Sequence, residues 1–314
     1  MTTQFPPHEN MVWIPGGEFL MGSDDHYTEE APTHKVRVNG FWMDRTTVTN
    51  REFGQFISET GYVTLAERAV DPADYPGADP ELLAPSSVVF SKPSHPVSHQ
   101  NHFEWGRYVK GANWRHPQGP ESSLDGIEDH PVVHVAWEDV EAYAKWAGKE
   151  IPREAEWEFA ARGGLEGAEF VWGDKLVPDG KYMANTWQGE FPWENTLEDG
   201  FEGTAPVGSY PANGYGLFDM AGNVWQWTSD WYQEHNKIDS PCCTIENPRG
   251  GNPESSVDPN QAQLQIPRKV TKGGSHLCAI NYCRRYRPAA RMAQPIDTSI
   301  SHLGIRCIVR SKSE

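Results

Sequence analysis

The sequence predicts an α+β protein folded as one domain with little regular secondary structure. Three observations carry this. Helix signals with both ends legible occur only three times, and strand signals are short. The chain also spreads 29 glycines and 25 prolines over 314 residues, which suits irregular backbone rather than helical repeats. With 13 Trp, 11 Tyr and 12 Phe it is too aromatic to be disordered. No repeat, low-complexity tract or linker divides it, so a single domain is expected over residues 11–310, after a disordered or extended stretch 1–10. The least regular parts are expected at 1–10, 70–100 and 234–268.

In chain order, Val36 and Val38 alternate with charged residues and predict a strand. Thr49 to Glu52 fits a capping box, and Phe53, Phe56 and Ile57 follow at helical spacing until Gly61 stops the helix. The β-branched run Val132, Val133 and Val135 predicts a second strand. Val140, Tyr143, Ala144 and Ala147 form the apolar face of a second helix, ended by Gly148. Pro152 suits the first turn of a third helix through Trp157 and Phe159, stopped by Gly163-Gly164. On that helix Glu154, Glu156 and Glu158 read as a largely solvated face. Pro211-Ala212-Asn213-Gly214 is turn chemistry.

Charge narrows the function classes. Lys and Arg number 27 against 44 Asp and Glu, a net charge of −17, so the basic footprint of a nucleic-acid binder is missing. No run approaches the roughly 18 apolar residues of a membrane span. The opening MTTQFPPHEN shows no basic stretch followed by an apolar one, so no secretory signal is expected. No strand–GxGxxG–helix nucleotide signature occurs. His130 and His134 lie in an extended DHPVVHV segment without a third ligand and read as structural hydrogen-bonding groups.

Five cysteines, Cys242, Cys243, Cys278, Cys283 and Cys307, are too few and too odd in number for a disulfide scaffold. Cys242-Cys243 falls in a loop and carries no expected role. Cys278 and Cys283 sit in KGGSHLCAINYCRRYRPAAR. On a helix their side chains would point about 140° apart, and on a flat strand to opposite faces. They meet only if the segment bends, which Gly273-Gly274 permits. Arg284, Arg285, Arg287 and Arg291 nearby favour thiolate. The residues leave three readings open: buried structural cysteines, a disulfide, or a pair of soft ligands suited to Cu(I).

The segment GGSHLCAINYCRRYRPAAR (273–291) resembles the active-site stretch of the formylglycine-generating enzymes. The likeness runs through MVWIPGGEFLMGS (11–23), VKGANWRHPQGP (109–120), EAEWEFAARGG (154–164), GNVWQWTSDWY (222–232) and LGIRC (303–307). It implies a fold with C-type-lectin-like topology. It also implies an O₂-dependent oxidase that converts the cysteine of a Cys-x-Pro-x-Arg segment in unfolded sulfatases to formylglycine. By carry-over Cys278 and Cys283 would bind Cu(I), with Ser275 positioning the substrate beside them. Two structural calcium sites are implied. One would take the side chains of Asn185 and Asp199 with the carbonyls of Thr186 and Phe201. The other would take Asp219 and Gln226 with the carbonyls of Gly222 and Val224.

Where disulfide-bearing relatives have cysteines this chain has Ala144, Ala161 and Pro288, which leaves Cys307 without its partner. That implies a cytoplasmic, prokaryotic-type enzyme, expected to act as a monomer on a sulfatase polypeptide. Ala279, His302 and the PIDTSIS stretch depart from the family pattern beside the implied substrate groove, and His302 would add a nitrogen donor near copper. The competing readings are a non-catalytic lectin-like or peptide-binding module of the same fold and an iron-dependent sulfoxide synthase. The latter needs a histidine cluster not found here. A thiol–disulfide oxidoreductase would show Cys-x-x-Cys at a helix start, which is missing.

Overall fold

The computed structural model describes residues 5–73, 75, 77, 79–235, 243–261 and 263–311, without the side chains of residues 81 and 82. The expectations for residues 1–4 and for Cys242 lie outside the described residues. Among the described residues, twelve short strands and three helices of two or more turns are joined by long irregular segments.

Strand β1 (Met11–Ile14) pairs antiparallel with β4 (Phe41–Asp44), and β12 (Ile308–Arg310) pairs antiparallel with the other edge of β4. The two ends of the domain are thereby tied into one sheet. β2 (Gly17–Met21) and β3 (His34–Val38) form an antiparallel pair extended by β8 (Ile245–Glu246). Val36 and Val38 point inward from β3 while Lys35 and Arg37 stay exposed. β5 (Ser86–Phe90) pairs with β6 (Gly106–Lys110). The central sheet has the order β10 (Arg291–Pro295), β9 (Arg268–Lys272), β7 (Trp225–Trp231), β11 (Leu303–Gly304).

Helix α1 (Asn50–Thr60) starts as the sequence requires. Thr49 Oγ1 accepts from the Glu52 amide at 3.2 Å, and the Glu52 carboxylate accepts from the Thr49 amide at 2.8 Å. Gly61 closes it in the left-handed conformation at φ 66°, which only glycine adopts without strain. Phe53 and Phe56 bury against Tyr143 and Trp146 of α2 (Trp137–Trp146).

Three expectations are corrected. Helix α3 (Glu154–Arg162) takes Arg153 as its cap, so Pro152 lies one residue outside the helix, its carbonyl accepting from the Ser229 amide. Residues 132–135 form no strand. The Val132 amide bonds to the Val48 carbonyl and the His134 amide to the Ile300 carbonyl, with His134 at φ 62° breaking any ladder. The α3 glutamates are not a solvated face, because every residue of the helix is buried. Glu158 pairs with Lys272 (3.0 Å) and Arg162 (2.7 Å), Glu154 with Arg291 (2.7 Å), and Glu156 with Arg310 (2.8 Å). Three cations from distant parts of the chain, Lys272, Arg291 and Arg310, join Arg162 of the helix itself to pair carboxylates that would otherwise be buried bare.

The stretches expected to be least regular hold β5, β8 and a single helical turn at Pro253–Ser256. The Pro211–Gly214 segment is a turn with a task. The Asn213 side chain accepts from the Tyr215 and Leu217 amides and donates to the Ala160 and Ala161 carbonyls, satisfying the C-terminus of α3. No helix among the described residues is long and apolar enough to cross a membrane.

Candidate active site

Strand β9 delivers the chain to Gly273-Gly274, both at positive φ (96° and 68°). A Cβ on Gly274 would lie 2.9 Å from the Arg285 backbone, so only glycine lets the two limbs of the loop close. Two successive turns then resolve the five-residue spacing. The Cys278 amide bonds to the Ser275 carbonyl (2.9 Å), and the Cys283 amide returns to the Ala279 carbonyl (2.9 Å). The outcome is a Cys278 Sγ to Cys283 Sγ separation of 3.1 Å.

The pair is nearly closed to solvent, with Cys278 2% and Cys283 9% exposed. The two sulfurs titrate as a unit in opposite senses. Burial pushes the Cys278 thiol well up. Cys283 is brought down to about 7, first by the hydrogen bond from Cys278 and then by Arg285. Of the four arginines expected to act together, Arg285 is the one that reaches a thiol, with Nη1 3.9 Å from Cys283 Sγ. Arg284, Arg287 and Arg291 are taken up by Glu169, Glu30 and Glu154. Arg285 is itself fixed from the N-terminal part of the chain, by Glu29 at 2.5 Å and by the Tyr27 ring at 3.9 Å.

Ser275 Oγ accepts from the Leu277 amide at 3.2 Å, so the serine shapes the turn that presents Cys278. Around the loop stands an aromatic wall of Trp105, Trp187, Phe191 and Tyr282, with Phe191 and Tyr282 stacked at 4.3 Å. The Trp187 amide bonds to the Cys278 carbonyl (3.0 Å), which locks the wall to the loop. A cavity of about 430 Å³ borders the loop through His276 and Trp187 and is floored by Phe90, Val133 and Ser301. Both His276 and His302 stay neutral: burial lowers them to about 4 and about 3. The His276 amide and its Nδ1 both engage the Asn223 carbonyl, while His302, 6.5 Å away ring to ring, has an Nδ1 without a hydrogen-bond partner. Ala279 is fully buried and bridges to Trp187.

Asn223 is the residue that sequence reasoning missed. At φ 57° its backbone bonds to residues 185 and 276, and its side chain both donates to and accepts from Ala205. The signal was present, since asparagine tolerates the left-handed region and stands within GNVW. Tyr27 and Glu29 were also missed, since nothing local links them to residue 285.

The two implied calcium sets differ in fit. In the first, Asn185 is fully buried and its Oδ1 has no hydrogen-bond partner, an oxygen available to a hard cation. Asp199 accepts from the Thr186 and Phe201 amides and is raised by burial, with no cationic side chain among the described residues paired to it. In the second, Gln226 Oε1 is committed to two donors, Trp157 Nε1 (2.9 Å) and Arg306 Nε (2.8 Å). The second set does not fit the ion with Gln226 as a ligand. His130 and His134 behave as structural groups: His134 bonds Ser87 Oγ and the Pro117 carbonyl, and His130 bonds Thr204. Among the described residues no three His, Cys, Asp or Glu side chains gather to hold a metal.

Fold and site define a class: a loop-rich α+β domain with a closely apposed, buried dithiol carried on a glycine-hinged loop. The sulfatase-modifying factor enzyme 1-like domain family matches residues 1–311, and the chain belongs to that family. It is 48% identical over 301 residues to the formylglycine-generating enzyme of Mycobacterium tuberculosis, covering 95% of this chain and 97% of that one. Identity to the enzyme of the same name from Streptomyces coelicolor is 45%, covering 94% and 88%, and to that of Mus musculus 46%, covering 95% and 74%. Among solved structures, PvdO from Pseudomonas aeruginosa superposes with a TM-score of 0.58 at 23% identity, covering 96% of this chain and 94% of that one. The variable protein 1 of Treponema denticola does so with 0.61 at 18%, covering 96% and 95%. These two share the fold.

Proposed function

We propose that this enzyme converts the cysteine of a Cys-x-Pro-x-Arg segment in sulfatase polypeptides to formylglycine, using O₂, with Cu(I) held by Cys278 and Cys283. The observation that carries this reading is the 3.1 Å buried thiol pair in a chain 45–48% identical to formylglycine-generating enzymes over nearly its full length.

The donor set fits copper. Two soft sulfurs lie side by side, and among the described residues no third His, Cys, Asp or Glu joins them to favour zinc or calcium. Cu(I), when bound, would supply the one-electron chemistry that lets a thiol react with O₂. The chain's own residues do the rest. Arg285 balances negative charge at Cys283. Ser275 and Ala279 hold the two turns that set the sulfur separation. Tyr282, Trp187 and Phe191 keep water from the pair, which strengthens every charge interaction there. Asn185 Oδ1 and Asp199 would hold a structural calcium behind Trp187. Cys307, a fully buried free thiol, supports a reducing, cytoplasmic setting.

The test is aldehyde formation on a Cys-x-Pro-x-Arg peptide by the reduced protein loaded with Cu(I), read by mass spectrometry. Copper-dependent aldehyde, lost in Cys278→Ser and in Cys283→Ser, is expected. Tight copper binding without aldehyde would refute the substrate assignment, and absence of both would leave a non-catalytic binding module.

A further inference from the structure

We infer that the Arg306 guanidinium takes the Gln226 oxygen of the second implied calcium set, so that this chain binds no calcium at Asp219 and Gln226. Arg306 is fully buried and sits in a ring of oxygens. Its Nε donates to Gln226 Oε1 (2.8 Å), its Nη1 to the Asp44 carbonyl (2.8 Å), and its Nη2 to the carbonyls of Phe218 (2.6 Å) and Asp219 (3.3 Å). Gln226 completes the closure. Its Oε1 takes a second donor from Trp157, and its Nε2 donates to the Asp219 carbonyl at 2.8 Å. The Asp219 carboxylate accepts from the Gly208 amide at 2.8 Å and supplies one negative charge against the one positive charge of Arg306.

A divalent ion gains nothing here. It would have to displace two N–H donors from the glutamine oxygen, and it would face a buried like charge in a medium that screens poorly. A glutamate at 226 would bring a second negative charge; the glutamine does not. The first position is the reverse case, with a buried amide oxygen left unpartnered and a carboxylate unpaired with any cation. The inference concerns the cofactor set of the proposed enzyme and stands apart from its activity.

Bound calcium is counted by elemental analysis after equilibrium dialysis of the intact protein against calcium, for wild type and for Asp199→Asn and Asp219→Asn. One calcium or none is expected in wild type, and none in Asp199→Asn. Asp219→Asn should shift any calcium affinity by less than about twofold. Two bound ions in wild type would overturn the inference. So would one ion retained in Asp199→Asn, or a loss of about tenfold or more in affinity in Asp219→Asn. None in wild type would support it and would remove only the first-site calcium from the proposed function. Should Asp199→Asn not fold, the wild-type count and Asp219→Asn decide alone.

Discussion

Of the groups that bring the Cys283 thiol down, the hydrogen bond from Cys278 acts first and a guanidinium 3.9 Å from Cys283 second. Its hold is remote, because Glu29 and Tyr27 fix it from the other end of the chain. Arg285→Gln is expected to raise the Cys283 thiol from about 7 toward its ordinary 9.0. Alkylation by iodoacetamide at pH 7 should slow about fivefold, with its pH midpoint moved up, since the thiolate is the nucleophile. Arg285→Lys should recover part of the rate, because it restores the charge without the planar contact to Tyr27. An unchanged rate-against-pH curve in Arg285→Gln would show that Cys278 alone sets the thiolate. Arginine density was legible around the two cysteines. Which arginine stays available was not, since that depends on Glu30, Glu154 and Glu169 being brought in by the fold.

At the scale of an element, α3 is held by charge as well as by Ala155, Trp157, Phe159, Ala160 and Ala161, which lie in the main core. Glu158 is fully buried between Lys272 and Arg162 and also accepts from the Gly22 amide at 2.9 Å. Removing one member of a buried pair strands the other, at a cost of about 3–5 kcal/mol. Glu158→Gln should therefore lower unfolding stability by that order in urea titration. Glu150→Gln, which removes the exposed partner of Arg310, should cost under about 1 kcal/mol. Equal costs would mean that the α3 network is solvated after all. Helix ends were readable, because Thr49, Glu52, Gly61 and Gly163 act within one turn of where they stand. The burial of Glu154, Glu156 and Glu158 was not, because their spacing is the same whether water or Lys272, Arg291 and Arg310 faces them. The Val132–Val135 run failed for a related reason: β-propensity says the backbone extends, not that a neighbouring strand is there to pair with it.

For the whole molecule, two sets of buried titratable groups oppose each other. Burial lowers His134, His235 and His276 from 6.5 to about 4. Burial raises Asp44, Asp139 and Asp230 from 3.8 to about 6. Between pH 4.5 and 6 the unfolded chain protonates these histidines while the folded one does not, so their contribution to stability is lost as pH falls. Over the same range the folded chain holds protons on the three aspartates that the unfolded one has released, so their contribution is lost as pH rises. Each shift amounts to about 3 kcal/mol per group, so the two sets pull the pH dependence of stability in opposite directions. Single substitutions read out the slopes. Relative to the wild type, His134→Gln should shift the slope of stability against pH downward between about pH 4.5 and 6 and Asp139→Asn should shift it upward, each by about 1 kcal/mol per pH unit. The slope is the readout, since both substitutions also break hydrogen bonds and shift the absolute value. Urea unfolding of all three proteins at both ends of that range decides it. Parallel pH dependences would mean that water reaches His134 and Asp139 in the folded molecule.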